Sequence, residues 1–529
     1  MTNSVEDLVE AQTIFIIGSN TTVAHPVIGY RIRKTVREHG AKLIVADPRR
    51  IPLVEVADLW LPLRPGTNVA LLNAMMQVIL EEGLADRAFI ESRTEGFDQF
   101  AAVLPACTPE WAAGITGVPA KDIRRAARLY AGADRAAICY TMGITQHTSG
   151  TDNVLALANL AMLTGNIGKR GAGVNPLRGQ NNVQGACDMG GLPNYYTAYQ
   201  KVVDPEARGK FETAWGVKLP SAPGLTLGEM IKGAAAGEVR ALYIMGENPL
   251  VTDPDLNHVR RAFDKLDFLV VQDIFLTETA SRADVVLPAA SFAEKNGTFT
   301  NTERRVQRVR AAKCPPGKAQ VDWRIIAAIS GAMGYPMLYS STAAIMEEIR
   351  RLTPSYANIT YKRLESFGLH WSSAGHGHPG TPILHTKEFT RGKGLFSAVH
   401  YRAPAEEPDA DYPLALTTGR SLWQYHSGSM TRRAPGLEQL APRCWLEIHP
   451  GDAGRLGIRD GDAVSVTSRR GTVETVAKVT GTIKPGVVFM PFHYVEAAAN
   501  ELTNSAVDPV AKIPELKACA VRVAKRTGG

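Results

Sequence analysis

The chain has 529 residues, 45% of them hydrophobic and 21% charged, which is the balance of folded globular proteins and excludes disordered and fibrous classes. At about 150 residues per domain this length gives three to four domains. The 59 Lys and Arg against 52 Asp and Glu leave a net charge of +7 with no long run of like charge, so an anionic small molecule fits better than nucleic acid, and no apolar run is long enough for a membrane-spanning helix.

Thr13–Ile17 (TIFII) is a short, β-branched apolar run ending in Gly18-Ser19-Asn20, the pattern of a buried parallel strand entering a loop. Pro26 opens a helical stretch that Gly40 stops. A second strand over residues 43–46 ends at Asp47, and a third segment ends in ADLWLP, residues 57–62. The series is a βαβ unit and predicts a parallel sheet covered by helices. It recurs more than two hundred residues later. A strand over 242–245 runs into Gly246-Glu247-Asn248, a helix covers about 256–265, a strand over 268–271 ends at Gln272-Asp273, and the third element ends in ADVVLP, residues 283–288. Asp47 and Asp58 are 11 positions apart, as are Asp273 and Asp284. The spacing predicts an internal duplication with two crevices at the carboxyl ends of the strands, each closed by an acid able to accept bonds from ribose hydroxyls or a guanine edge. Neither copy has a full GxGxxG, which argues against an ordinary NAD site.

Residues 165–191, GNIGKRGAGVNPLRGQNNVQGACDMGG, show no helix or strand period and read as a long functional loop rich in donors for an anionic or oxygenated ligand. Residues 370–413 read as a surface crossing, and their histidines (His370, His376, His378, His385) lack the spacing of a metal site. Short alternating strands then follow to the C-terminus and predict a small β-barrel. His25 and His147 read as structural or solvent-facing. The six cysteines include no CxxC, which fits a reducing compartment and offers no local zinc or cluster site.

The stretches MGENPLVTDPDL, VVQDIFLTETASRADVVLPAASFAEKNGTFTNTERRVQ and AMLTGNIGKRGAGVNPLRGQNNVQGACDMG resemble the molybdopterin oxidoreductase superfamily, and the last resembles formate dehydrogenase catalytic (alpha) subunits. The resemblance implies an α/β fold of two related Rossmann-like parallel-sheet domains and a C-terminal six-stranded β-barrel cap. It divides the chain into a first dinucleotide domain over 1–180, a second over 181–345, an irregular connector over 346–412 and the barrel over 413–529. It implies a bis-molybdopterin guanine dinucleotide cofactor with Mo or W. Gly18, Asn20, Asp47, Gly66, Thr67 and Asn68 resemble the contacts of one dinucleotide; Gly246, Glu247, Asn248, Gln272, Asp273 and Thr277 resemble those of the other. Met142, Gln146 and Gln180 resemble pterin neighbours, and Arg178 the formate-orienting arginine. Thr418, Arg420, His426, Ser427, Ser429, Phe492, His493 and Asn500 resemble the cap over both cofactors.

The reaction so implied is formate to CO2, with electrons leaving to iron–sulfur or NAD-linked partner subunits, in the cytoplasm. The resemblance also implies two elements preceding Met1, a Cys-rich iron–sulfur motif and a loop with a metal-ligating Cys or selenocysteine followed by His. The iron–sulfur cluster is expected only in that part, and none of the six cysteines takes the ligand's place. Apolar surface between about 292 and 370 is expected to lack a partner. Other readings of the same resemblance are a nitrate or other oxyanion reductase, against which RGQNNVQGACDMG speaks, and a non-catalytic scaffold or degenerate homologue.

Overall fold

The computed structural model describes residues 1–375 and 377–526, so His376 lies outside the described residues. The chain divides into two units. The first comprises Met1–Leu177, Val251–Asn257 and the chain from Ile383 onward; the second comprises Arg178–Leu250 and His258–Pro382.

In the first unit, β1 (Thr13–Ile17), β2 (Lys42–Ala46), β3 (Leu59–Leu61), β4 (Ala136–Tyr140) and β5 (Gly173–Pro176) form an all-parallel sheet in the order β3-β2-β1-β4-β5. Successive residues of a strand point to opposite faces, and here both faces are buried. Phe15, Ile17, Ile44 and Ile138 pack against α2 (Asn68–Glu81), α3 (Ala120–Ala131) and α4 (Gly150–Leu163). Ile14, Ile16, Leu43 and Val45 pack with Ile28 and Ile32 of α1 (Pro26–His39). Pro26 at the start of α1 and Gly40 in the left-handed region (φ 70°) at its end set the helix bounds.

Two expectations are corrected here. Residues 165–191 are not one structureless loop. Gly173–Pro176 adds β5 to the sheet edge, and Val183–Asp188 forms α5. A four-residue strand containing Gly and Pro and a six-residue helix are too short to leave a period, and pairing with β4 supplies what propensity lacks. The crossing after His370 is not surface throughout, because Phe396 and Val399 are buried, with Phe396 stacked on Phe100 at 4.8 Å between ring centroids.

In the second unit, α6 (Leu227–Ala236), β6 (Ala241–Met245), α7 (Leu256–Phe263), β7 (Phe268–Asp273) and β8 (Val285–Pro288) repeat the scheme, with a parallel sheet in the order β6-β7-β8. One face, through Leu242, Ile244, Leu269 and Val271, packs on Ile231, Val259, Ala262 and Phe263 of α6 and α7. The other face is only partly covered: Tyr243, Met245 and Phe268 are 46–49% exposed and Val285 38%, while Gln272 on the same face is buried and bonded to Tyr243 and Asp322. The antiparallel pair β9 (Gly297–Thr300) and β10 (Arg305–Val309) follows, then α8 (Asp322–Ala332), which has no fully buried residue. Unpartnered apolar surface does occur between 292 and 370, at Phe292, Met333, Leu338 and Phe367, and it begins earlier than expected, on the sheet itself.

The C-terminal strands β11 (Leu414–Gly419), β12 (Trp445–Ile448), β13 (Ala463–Thr467), β14 (Thr472–Val479), β15 (Val487–Pro491) and β16 (Cys519–Lys525) close into a six-stranded barrel in the order β11-β15-β12-β14-β13-β16, within the first unit. Closure leaves no sheet edge, and Leu416, Leu446, Ile448, Val464, Val488 and Val521 fill the interior. Among the described residues no helix is long and apolar enough to cross a membrane.

Candidate active site

The first sheet reverses strand order between β1 and β4, and a crevice at the carboxyl ends of two such strands is where open α/β sheets bind ligands. Its floor is main chain against main chain. Gly18 (φ +55°) accepts from Gly143 N at 3.1 Å and from the Thr141 hydroxyl at 2.8 Å, and a Cβ on Gly18 would stand 2.6 Å from the Gly143 carbonyl carbon. Gly143 escapes the sequence reading although it lies between the expected Met142 and Gln146. His147 follows, 2% exposed, with Nε2 3.0 Å from Gly143 O; burial lowers its pKa to about 4, so it stands neutral as a structural residue.

At the rim of this crevice Asn20 carries a buried Oδ1 with no hydrogen-bond partner among the described residues. Thr67 and Asn68, both buried, begin α2 after Gly66 (φ +81°), and the Thr67 hydroxyl donates to Arg64 O at 2.7 Å. Asp47, at the end of β2, is 9% exposed and its Oδ1 accepts the Arg49 N–H at 2.9 Å. Burial raises its pKa to about 6, and Arg49 and Lys517 pull against that rise. Lys517 moves the opposite way, to about 7, because burial and the neighbouring Arg420 and Arg49 charges disfavour its ammonium while Asp47 favours it. Its Nζ donates to Thr418 O at 2.7 Å. Arg49 is locked between Glu447, which accepts from its Nε at 3.1 Å and Nη2 at 2.9 Å, and the Phe489 ring 3.6 Å below its guanidinium. Lys517 and Arg49 are further residues the sequence reading missed; each is a base just outside a strand, in a stretch with no recognisable motif.

The barrel residues singled out from sequence lie at strand ends of the same unit. Thr418 and Arg420 close β11, and burial lowers the Arg420 pKa. His493 Nε2 accepts the Ser421 N–H at 2.9 Å while its Nδ1 meets His426 O, so Nδ1 carries the proton. Burial brings both His426 and His493 to about 4, leaving them uncharged. Phe492 stands edge-on to His426 at 5.7 Å, and the Ser427 and Ser429 hydroxyls bond each other at 2.9 Å. Asn500 donates to Thr252 O at 2.8 Å, and its buried Oδ1 has no partner among the described residues.

In the second unit Gly246 (φ +64°) donates to Gln272 O at 2.9 Å, and open space surrounds the point where a Cβ would stand. Glu247 is exposed. Asn248 bridges Glu278 (2.7 Å) and the Thr279 hydroxyl (2.7 Å). Gln272 is fully buried, accepts from the Tyr243 hydroxyl and donates to Asp322 at 2.8 Å, which pairs with Lys295. Asp273 accepts the Ile274 N–H at 2.6 Å, and Thr277 accepts the Ala280 N–H at 3.2 Å. Arg178 donates from its backbone to the Thr302 hydroxyl at 2.8 Å and from Nε to Gln184 Oε1 at 3.2 Å; Gln180 lies two positions on. Of the histidines in the crossing, His370 stands 3.7 Å from Glu303, His378 accepts the Gly380 N–H, and His385 stacks on Phe389.

These residues fit a dinucleotide with pterin chemistry. Buried acceptors at Asn20 and Asn500 without a partner among the described residues have room for donors, the buried Asp47 carboxylate has capacity beyond its single backbone bond, and Arg420 is a buried cation beside Lys517. Residues 1–332 match the family model for molybdopterin oxidoreductases, and residues 414–520 match the molydopterin dinucleotide binding domain. The chain belongs to the molybdopterin oxidoreductase family. Among its relatives, the protein named F420-dependent formate dehydrogenase subunit alpha of Methanocaldococcus jannaschii is 54% identical over 99% of this chain and 78% of its own length. F420-dependent formate dehydrogenase 1 subunit alpha of Methanococcus maripaludis is 50% identical over 99% and 78%, and formate dehydrogenase H of Escherichia coli 44% over 99% and 74%. The fold of this molybdopterin oxidoreductase is shared with acetylene hydratase from Pelobacter acetylenicus, at a TM-score of 0.78 and 20% identity over 99% of this chain and 79% of that one.

Proposed function

We propose that the chain is the catalytic subunit of a formate dehydrogenase, oxidising formate to CO2, a proton and two electrons that pass to iron–sulfur or NAD-linked partner proteins. The observation that carries this reading is the RGQNN segment beginning at Arg178, within a chain alignable over 99% of its length with formate dehydrogenase alpha subunits. The bound cofactor, two molybdopterin guanine dinucleotides with Mo or W, would supply the two-electron acceptor for the reaction.

The chain's own residues have separable tasks. Gly18 and Gly246 let the backbone approach a pyrophosphate, and Asp47 and Asp273 accept from a guanine edge or ribose hydroxyls. Arg420 and Lys517 balance phosphate charge, and Met142, Gln146 and Gln180 adjoin a pterin. His426 and His493, neutral at pH 7, hold polar contacts of the cap without adding charge. Glu247, Asn248, Gln272 and Thr277 shape the second crevice, while Asn20, Gly66, Thr67, Asn68, Thr418, Ser427, Ser429, Phe492 and Asn500 shape the first and its cap. Arg178 holds the formate carboxylate through its guanidinium fork and stabilises negative charge as the C–H bond breaks.

Acid release of guanine nucleotide from the cofactor-loaded protein, with formate-dependent dye reduction, tests the reading. Two GMP per chain and reduction of the dye are expected. Absence of bound guanine nucleotide, or reduction driven by other substrates but not formate, overturns it.

A further inference from the structure

Arg178 is tied to a buried carboxylate it does not touch. In α5 (Val183–Asp188), Gln184 and Asp188 are four positions apart and share one helix face. Asp188, 0% exposed, is surrounded by four donors. Its Oδ1 takes Gln184 Nε2 at 2.8 Å and the Tyr199 hydroxyl at 3.1 Å, and its Oδ2 takes the Tyr356 hydroxyl at 2.8 Å and Trp371 Nε1 at 2.7 Å. Arg304 is the nearby cation. An amide side chain can present either its oxygen or its nitrogen to a neighbour. The Gln184 nitrogen meets Asp188 Oδ1 and, at 3.0 Å, the Tyr199 hydroxyl; the hydroxyl can accept or donate, whereas the carboxylate accepts only, so Asp188 fixes the nitrogen toward itself and the oxygen toward Arg178 Nε, 3.2 Å away. A single bond to Nε orients the plane of a guanidinium, and a planar fork holds a carboxylate only along the directions in that plane.

We propose that Asp188 is a positioning residue for Arg178, acting through Gln184 to set the plane of the guanidinium that receives formate. The inference rests on the formate reading of Arg178. The same carboxylate also ties Tyr199, Tyr356 and Trp371 together, so two variants separate the tasks. Gln184→Met leaves Asp188 its three aromatic donors, removes one bond to the Tyr199 hydroxyl and cuts the link to Arg178. Asp188→Asn can offer N–H to Gln184 and turn the amide round, setting donor against donor at Arg178.

In the cofactor-loaded enzyme, formate protection of Arg178 against phenylglyoxal, read by mass spectrometry of the labelled peptide, reports the fork without turnover. Both single variants should need about tenfold more formate for half-protection, a shift of about 1.4 kcal/mol. The formate KM should rise by a similar factor, with kcat changing less. The double variant should be no worse than Gln184→Met alone, because the two side chains act in series. Thermal midpoints, which report the aromatic hub, should fall for Asp188→Asn and hardly for Gln184→Met. Wild-type protection in Gln184→Met, or additive losses in the double variant, overturns the positioning role. Failure of formate to protect Arg178 in the wild-type enzyme, or unchanged formate kinetics in Arg178→Lys, removes the reading of Arg178 itself and the inference with it. Arg178→Lys should instead weaken formate use at least a hundredfold, since a point charge cannot replace the fork.

Discussion

The two parallel sheets carry the same local chemistry in different surroundings. In the first, Asp58 Oδ2 accepts the Leu43 N–H at 2.9 Å, and in the second Asp284 Oδ2 accepts the Leu269 N–H at 2.7 Å; in both, the acid's own N–H returns the bond at 2.9 Å. Gly18 N to Ala46 O (3.0 Å) matches Gly246 N to Gln272 O (2.9 Å). Yet the first sheet is sealed by helices on both faces, whereas the second exposes Tyr243, Met245, Phe268 and Val285 to water on one of its faces. A duplication thus preserves backbone bonds that a few residues can encode, while the layers over a sheet depend on chain from elsewhere.

The comparison can be broken most sharply at the paired glycines. Gly18→Ala meets backbone at 2.6 Å in a left-handed conformation and should cost roughly 3 kcal/mol or more, read from the urea midpoint. Gly246→Ala, with only its positive φ to suffer, should cost about 1 kcal/mol. Equal costs would mean the two floors are alike.

The paired acids come next. Asp47, raised from 3.8 to about 6, is protonated more readily folded than unfolded, so its contribution is complete below pH 4 and is lost as pH rises through 6. In the ligand-free chain Asp47→Asn should remove a fall of up to about 3 kcal/mol across that window, measured as unfolding free energy against pH. Lys517, lowered from 10.5 to about 7, works oppositely: its contribution grows as pH rises from 7 toward 10.5, so the two windows do not overlap.

The shared lock is a finer test. Asp58→Ala and Asp284→Ala should each cost about 1–2 kcal/mol, since each leaves one strand N–H unpaired. A large difference would show that the second copy keeps the bond without needing it. Smallest in stability is the partly covered face. Met245→Lys with Phe268→Lys, which leaves the Tyr243 bond to Gln272 intact, should change unfolding by less than about 1 kcal/mol but lower self-association, measured by light scattering.

The legible parts of the sequence were those governed by neighbours along the chain. TIFII and FLVV betray strands by β-branched residues, Pro26 and Gly40 bracket α1, and the barrel announces itself by alternation. The matching acids of ADLWLP and ADVVLP expose the duplication because they bond a strand only 15 residues back. What stayed hidden depends on distant partners. β5 exists because Gly173 pairs with Ala137. Asp188 gathers Tyr199, Tyr356 and Trp371 from up to 183 positions away. Lys517 becomes remarkable only when folding brings it near Asp47. Bare apolar surface on β6–β8 was also unreadable, because an alternating strand states which residues are apolar and not whether anything covers them.

The contact of Gly18 with Gly143 has a historical consequence. Where two main chains touch, neither position can accept a side chain without moving the other, so substitution at one could not be repaired by substitution at its partner. The depth of that crevice is thereby shielded from sequence drift. Ligand preference can change only through the walls, and lineages that diverge in substrate should still inherit the same floor.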